Sequence, residues 1–208
     1  MKKVICFLIV LVYLSNFLES KGIGLNFVVS GLGGANYFVR RGVSLSYTGW
    51  GESYGYEGEV QVIFKKENIG LGLSYGNIYE TAVANEPYGS AVWTRKVERE
   101  SYLIKFLISP NTKIKPWFGF GKDIFDIRKV ELDFDLYGTH YKLSKPELEG
   151  REIFQIICAG LDINIWRGLL LSSTLRYGYN ETNNTVKTTN FESYQFLLKV
   201  SYRFELSK

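Results

Sequence analysis

The sequence predicts an all-β protein, a transmembrane antiparallel up-and-down β-barrel of eight strands. Three observations carry that fold class. The segment from Glu192 to Phe204 places Tyr194, Phe196, Leu198, Val200, Tyr202 and Phe204 at alternate positions, against Ser193, Gln195, Lys199, Ser201 and Arg203, with Leu197 the exception. The same two-residue period returns in seven further segments, and the connections between them alternate between short and long. A period of two means a strand with two unlike faces. An unbroken apolar stripe over this length, ending on an aromatic, is the pattern of a strand of about 9–11 residues with one face in lipid and one in a polar lumen.

The chain begins Met1-Lys2-Lys3, runs apolar from Val4 to Leu14 and reaches a small residue at Ser20. A basic start, a short apolar core and a small residue at the cut predict a secretory signal peptide over 1–20. The run is shorter than the roughly 20 residues a spanning helix needs. Cys6 has no small-residue box before it, which argues against a lipoprotein anchor. Residues 21–208 then form one domain, the barrel.

Composition agrees. Aromatics are 16% of the chain, Gly is abundant at 21 and Pro scarce at 4. Mean hydropathy is −0.06, as expected when half of every strand is polar. The formal charge of +4 is too weak and dispersed to argue for nucleic acid. Without the leader one cysteine remains, Cys158, so no internal disulfide framework is expected.

The strands read in order as follows. Val43, Leu45 and Tyr47 alternate with Ser44, Ser46 and Thr48; this predicts the first strand, over 42–49. Val60, Val62 and Phe64 then oppose Glu59, Gln61 and Ile63, and Ile69, Leu71, Leu73 and Tyr75 oppose Gly70, Gly72, Ser74 and Gly76. Tyr102, Ile104, Phe106 and Ile108 alternate with Leu103, Lys105 and Leu107; Ile114, Pro116, Phe118 and Phe120 alternate with Lys115, Trp117, Gly119 and Gly121. Pro116 falls near a strand start, where a missing N–H is best tolerated. Ile157, Ala159, Leu161, Ile163 and Ile165 alternate with Cys158, Gly160, Asp162 and Asn164. A tight turn, Trp166-Arg167-Gly168, leads to the stripe of Leu169, Leu171, Ser173, Leu175, Tyr177 and Tyr179. The short connections are 66–68, 109–113 and 166–168; the long ones are 50–55, 80–98, 128–150 and 181–190. In outer-membrane barrels short turns face the periplasm and long loops face outward, with both chain ends on the periplasmic side. One segment stands outside this scheme. Gly22 to Ser30 also alternates and precedes Gly31-Leu32-Gly33-Gly34; it either packs as a periplasmic lead-in or replaces 42–49 as the first strand.

Over roughly 42–204 the chain resembles the small bacterial outer-membrane β-barrel proteins, typified by the adhesion/invasion-type barrels and the barrel of outer membrane protein A. The segments that carry the resemblance are Lys115-Pro116-Trp117-Phe118-Gly119-Phe120-Gly121, Ala159-Gly160-Leu161-Asp162-Ile163 and Tyr202-Arg203-Phe204. The chain departs from that pattern where Glu205-Leu206-Ser207-Lys208 follow the closing aromatic, and where Lys199 stands in the place of the usual Gly. The resemblance implies a bacterial cell outer-membrane location, with outer-membrane lipid and lipopolysaccharide, the barrel assembly machinery and an extracellular protein as partners.

The lumen face holds Glu59, Gln61, Lys105, Lys115, Asp123, Asp162, Asn164, Arg176, Gln195, Lys199 and Arg203. An ion path is one reading. The preferred reading is a structural network of Glu59, Lys105, Asp123, Asp162, Arg176, Lys199 and Arg203, because an eight-stranded interior is filled by side chains and buried charges there must pair. His140 lies in one loop with Ser144, Glu147 and Glu149, but Lys142 stands where the His-x-Ser pattern of deacylase barrels needs Ser. A single histidine also makes a zinc site improbable. Glu131, Asp133 and Asp135 share one strand face, which suits Ca²⁺ or simply a solvated surface. Asn180-Glu181-Thr182 and Asn183-Asn184-Thr185 match glycosylation sequons, which act only on a eukaryotic secretory route. Cys158 is expected to fill space inside. No catalytic residue, cofactor or metal site is expected. Tyr47, Tyr75, Tyr79, Tyr177 and Tyr179 are placed at the loop ends of strands, and Phe64, Trp117, Trp166, Tyr202 and Phe204 at the turn ends, with Trp117 and Trp166 on the inward parity.

The expected function is a non-enzymatic structural or surface-interaction role. The alternatives are a narrow channel for small or hydrophobic solutes, a lipid-modifying enzyme, and a secreted lipocalin-like barrel. Residues 128–143 are expected to form a hairpin above the membrane, with Val130, Leu132, Phe134 and Leu136 as a partly exposed apolar edge.

Overall fold

The computed structural model describes residues 21–42, 47–86, 89–108, 112–144, 149–184 and 187–206. The signal-peptide assignment falls outside them. The described chain is almost wholly strand: β1 (Ile23–Gly42), β2 (Tyr47–Phe64), β3 (Ile69–Glu86), β4 (Gly89–Leu107), β5 (Ile114–Leu136), β6 (Thr139–Ser144), β7 (Gly150–Trp166), β8 (Leu169–Asn184) and β9 (Lys187–Glu205). All pairings are antiparallel. Their order is β4-β3-β2-β1-β9-β8-β7-β5-β6, and β4 also pairs with β5. Eight strands therefore close into a ring, and β6 hangs on the upper part of β5.

The ring has the expected strand number but a different first member. β1 is the 23–42 segment; residues 47–48 open β2 and 43–46 lie outside the described residues. The glycines at 31, 33 and 34 do not stop the strand. At Gly34 the neighbouring strand comes so close that a Cβ would sit 1.9 Å from the Phe196 carbonyl oxygen, so only glycine fits there.

The strands are also longer than the apolar stripes imply. Residues 50–55, most of 80–98, 128–136 and 139–144, and 181–184 with 187–190 are strand rather than loop. On β4 and β5 the reason is an inversion of polarity part-way up the wall. Near the turn end apolar residues face out and polar ones in. Higher up, β4 turns Val97 inward and Lys96 and Glu98 outward, while β5 turns Phe125 and Ile127 inward and Asp126 and Arg128 outward. Pairing continues through the change, but the outward apolar stripe ends.

Two irregularities reset the facing. Lys96 pairs with Lys129 and Val97 with Ile127, so Arg128 is an extra residue in β5 and both Ile127 and Val130 point inward. Between Asn164 and Trp166 a second shift turns Trp166 outward, 68% exposed, against its inward parity. Tyr137 (φ 50) and Gly138 (φ 77) join Leu136 to its direct partner Thr139, the type I′ geometry that closes a two-residue hairpin.

Candidate functional site: lumen and outer hairpin

The interior follows from strand parity. At its middle Arg176 on β8 donates to both carboxylate oxygens of Asp123 on β5, at 2.6 and 2.8 Å, and to Ser101 Oγ at 2.8 Å. Arg99 donates to Glu57 Oε2 at 2.6 Å, and Lys199 donates to the other oxygen of the same carboxylate. Toward the turn end Lys105 bonds Glu59 at 2.5 Å and lies 5.0 Å from the ring centre of Trp117. Trp117 Nε1 donates to Asp162 Oδ1 at 3.2 Å. Toward the outer end Glu80 accepts from Arg95 at 2.5 Å and from Gln195 at 2.9 Å.

Of the seven network residues expected, Glu59, Lys105, Asp123, Arg176 and Lys199 enter ion pairs in the lumen. Asp162 meets the Trp117 N–H rather than a cation. Arg203 points into the turn-end mouth, where its Nε is buried with no hydrogen-bond partner. The sequence reading overlooked Glu57, Arg99, Glu80 and Arg95. Glu57 sits on the parity of Glu59, and Arg99 on that of Lys105, so extending the alternation two to six residues would have found both. Glu80 and Arg95 fell in a segment read as loop.

Beside the outermost of these ion pairs the β4–β5–β7 side of the interior is apolar, with Arg95 5.8 Å from the Phe125 ring centre. Val97, Phe125, Ile127, Val130, Phe154 and Ile156 form one buried cluster, with Trp93 and Leu103 packed against it. Val130 thus belongs to the interior, which corrects its place in the expected edge, while Leu132, Phe134 and Leu136 on the same face are half-buried. The β5 edge is not free either, because β4 pairs with it as far as Phe134. The edge that lacks a strand partner among the described residues is β6.

The hairpin itself is as expected. Glu131, Asp133 and Asp135 share one face and meet cations of their own hairpin. Lys129 lies 2.9 Å from Glu131, Lys142 lies 3.5 Å from Glu131 and 4.0 Å from Asp133, and His140 Nδ1 lies 3.0 Å from Asp135. The hydrogen bond from Lys129 holds the Glu131 carboxyl below its usual value. Likewise, the hydrogen bond from Arg128 at 3.1 Å holds Glu98 below its own. His140 and Ser144 stand four residues apart along an extended strand, about 13 Å, too far for one to activate the other. Glu147 lies outside the described residues.

The outer surface carries an apolar belt. On β9 it runs from Phe204 to Tyr194, and Glu192 follows. At its turn edge Phe27, Tyr202 and Phe204 cluster, with Phe204 6.2 Å from Phe27 and 4.8 Å from Tyr202. At its outer edge Tyr54 stacks on Tyr79 at 5.4 Å, and Tyr37 meets Trp50 at 4.6 Å and Tyr194 at 6.1 Å. Trp117 belongs inside rather than to a belt, and the side chain of Tyr47 is outside the described ones. Cys158 is buried against the Gly119 carbonyl, as expected. A closed ring with a polar inside and an aromatic-edged apolar outside about one bilayer high is a transmembrane β-barrel.

No protein-family model matches the chain, and no curated protein matches it. Solved structures with similar strand arrangements include Neisserial surface protein A, at 14% identity and a TM-score of 0.45, covering 84% of this chain and 96% of that one. The N-terminal β-barrel domain of OprF from Pseudomonas aeruginosa gives 14% identity and a TM-score of 0.43, covering 87% and 99%. The attachment invasion locus protein of Yersinia pestis, solved with the heparin analogue sucrose octasulfate, gives 12% identity and a TM-score of 0.36, covering 87% and 99%. The assignment to a membrane barrel rests on the ring of pairings and the belt described above.

Proposed function

We propose that this chain is a non-enzymatic bacterial outer-membrane barrel that raises a rigid β-wall and a hairpin above the membrane for surface recognition. The observation that carries it is strand length. β2 to β5 run 18, 18, 19 and 23 residues, about twice the 9–11 a bilayer requires. The excess is ordered wall around an apolar core, ending in β6, whose edge offers unpaired backbone groups to an extended peptide of a partner. The short turns then face the periplasm, and lipopolysaccharide surrounds the upper belt. Assembly machinery of the outer membrane inserts the barrel.

The narrow-channel reading is less well supported. The described lumen is crossed by paired charges, and its β4–β5–β7 side is filled by the apolar cluster, as expected of an interior filled by side chains. Planar-bilayer conductance of the purified protein separates the two.

The recognition reading is tested by removing β6 alone, joining Leu136 to residue 145 through a short linker. β5 stays, because its upper half pairs with β4 and supplies Val130 to the core. The barrel should fold and resist protease while binding to cells or matrix is lost. Binding that survives the deletion overturns the proposal.

A further inference from the structure

The turn-end mouth of the lumen breaks the rule that holds above it. In the middle and upper lumen the carboxylates of Glu57, Glu80 and Asp123 each meet a cation within 4 Å, as does Glu59 just above the turn end. At the turn end a cavity of about 220 Å³ is lined by Lys65, Lys105, Lys115, Arg203, Asp162 and Glu205, among others. Lys105 is taken by Glu59; Asp162 accepts from the neutral Trp117 N–H and keeps its charge, so Asp162 and Glu205 face three cations, Lys65, Lys115 and Arg203. Lys65, Lys115 and Arg203 have no ion-pair partner among the described residues, and Arg203 Nε is buried without an acceptor. A buried donor left unmade costs free energy, and converging cations repel unless an anion sits between them.

We propose that this mouth is a binding site for a small phosphate-class oxyanion entering from the turn side. Its three or four oxygens match what is missing: an acceptor for Arg203 Nε and the counter-charge by which the cations of the mouth exceed its carboxylates. Arg203 and Lys115 come from β9 and β5 and Lys65 follows β2, so they approach the cavity from different sides of the ring. The guanidinium supplies planar donors suited to phosphate, and the two ammonium groups act as point charges. Glu205 and Asp162 at the same mouth favour a small ion over a long polyanion. The site is independent of the hairpin at the opposite end.

The test is isothermal titration of the full mature barrel, refolded in a neutral detergent, with inorganic phosphate and separately with sodium chloride of equal ionic strength. Saturable phosphate binding is expected, weakened at least tenfold by Lys115→Gln and by Arg203→Gln. Arg203→Lys keeps a charge but loses the planar fork and should fall between. Lys122→Gln, on the outer face, should bind like the parent. If Arg203→Gln does not fold, Lys115→Gln alone decides. No saturable binding, or equal affinity in the parent and Lys115→Gln, overturns the site.

Discussion

Arg176 reaches past an intervening strand to grip Asp123. The two residues lie on β8 and β5, which are separated in the ring by β7, and one guanidinium nitrogen spans both carboxylate oxygens at 2.6 and 2.8 Å. Asp123 is 2% exposed. The pair therefore ties together two strands that do not pair with each other, in a place where both side chains are buried.

Removing Arg176 leaves Asp123 uncompensated. Arg176→Ala should destabilise the folded barrel by about 3–5 kcal/mol without preventing insertion, read as a lowered urea midpoint. The double variant Arg176→Ala, Asp123→Ala should be more stable than Arg176→Ala alone. A sharp rise in conductance at unchanged stability would point to a channel instead.

Facing in the membrane has its own check. Leu198 lies outward in the middle of the β9 stripe, so Leu198→Arg should cost about 2–4 kcal/mol. Lys199→Arg, one residue on and facing the lumen, keeps its charge beside Glu57 and should change the folding midpoint little. Equal effects of the two would contradict the assigned faces.

The apolar cluster outside the membrane should behave like a soluble core. Phe154 is 1% exposed and packs 4.9 Å from Phe125. Phe154→Ala should cost about 3–5 kcal/mol locally and open the upper wall to protease, while the belt region stays folded. Protection of the upper wall equal to that of the parent would rule out this role.

Acid should loosen the outer hairpin first. Glu131 and Glu98 both titrate below the ordinary glutamate value of 4.5 in the folded state. A depressed carboxyl contributes stability that is present above its unfolded value and is lost as pH falls through the folded one. Protection of the Phe134 and Tyr141 amides, which pair across the hairpin, taken relative to the intrinsic exchange rate at each pH, should therefore fall below about pH 4.5 compared with pH 7. Protection factors that rise or stay constant on acidification contradict the ion pairs.

The amino-acid sequence by itself determined the barrel class and the facing of the membrane belt. Lipid demands apolar residues at every second position, and that demand is written locally, as from Tyr194 to Phe204. It also placed Arg176, Asp123, Lys199, Glu59 and Lys105 inside, because inward parity is a local property. Tertiary structure decided the rest. Whether Gly31 to Gly34 ends a strand depends on how near β9 comes, which no local pattern records. Above the belt the outward face meets water, so on β4 and β5 the apolar signal moves to the other parity and a strand such as 91–98 reads as loop. The extra residue at Arg128 and the shift before Trp166 reverse facing through pairing with a neighbour, and so Val130 is core rather than edge. Which cation meets which carboxylate depends on strands brought together in the ring, and only the pairing of the first strand with the last sets Lys199 on β9 beside Glu57 on β2.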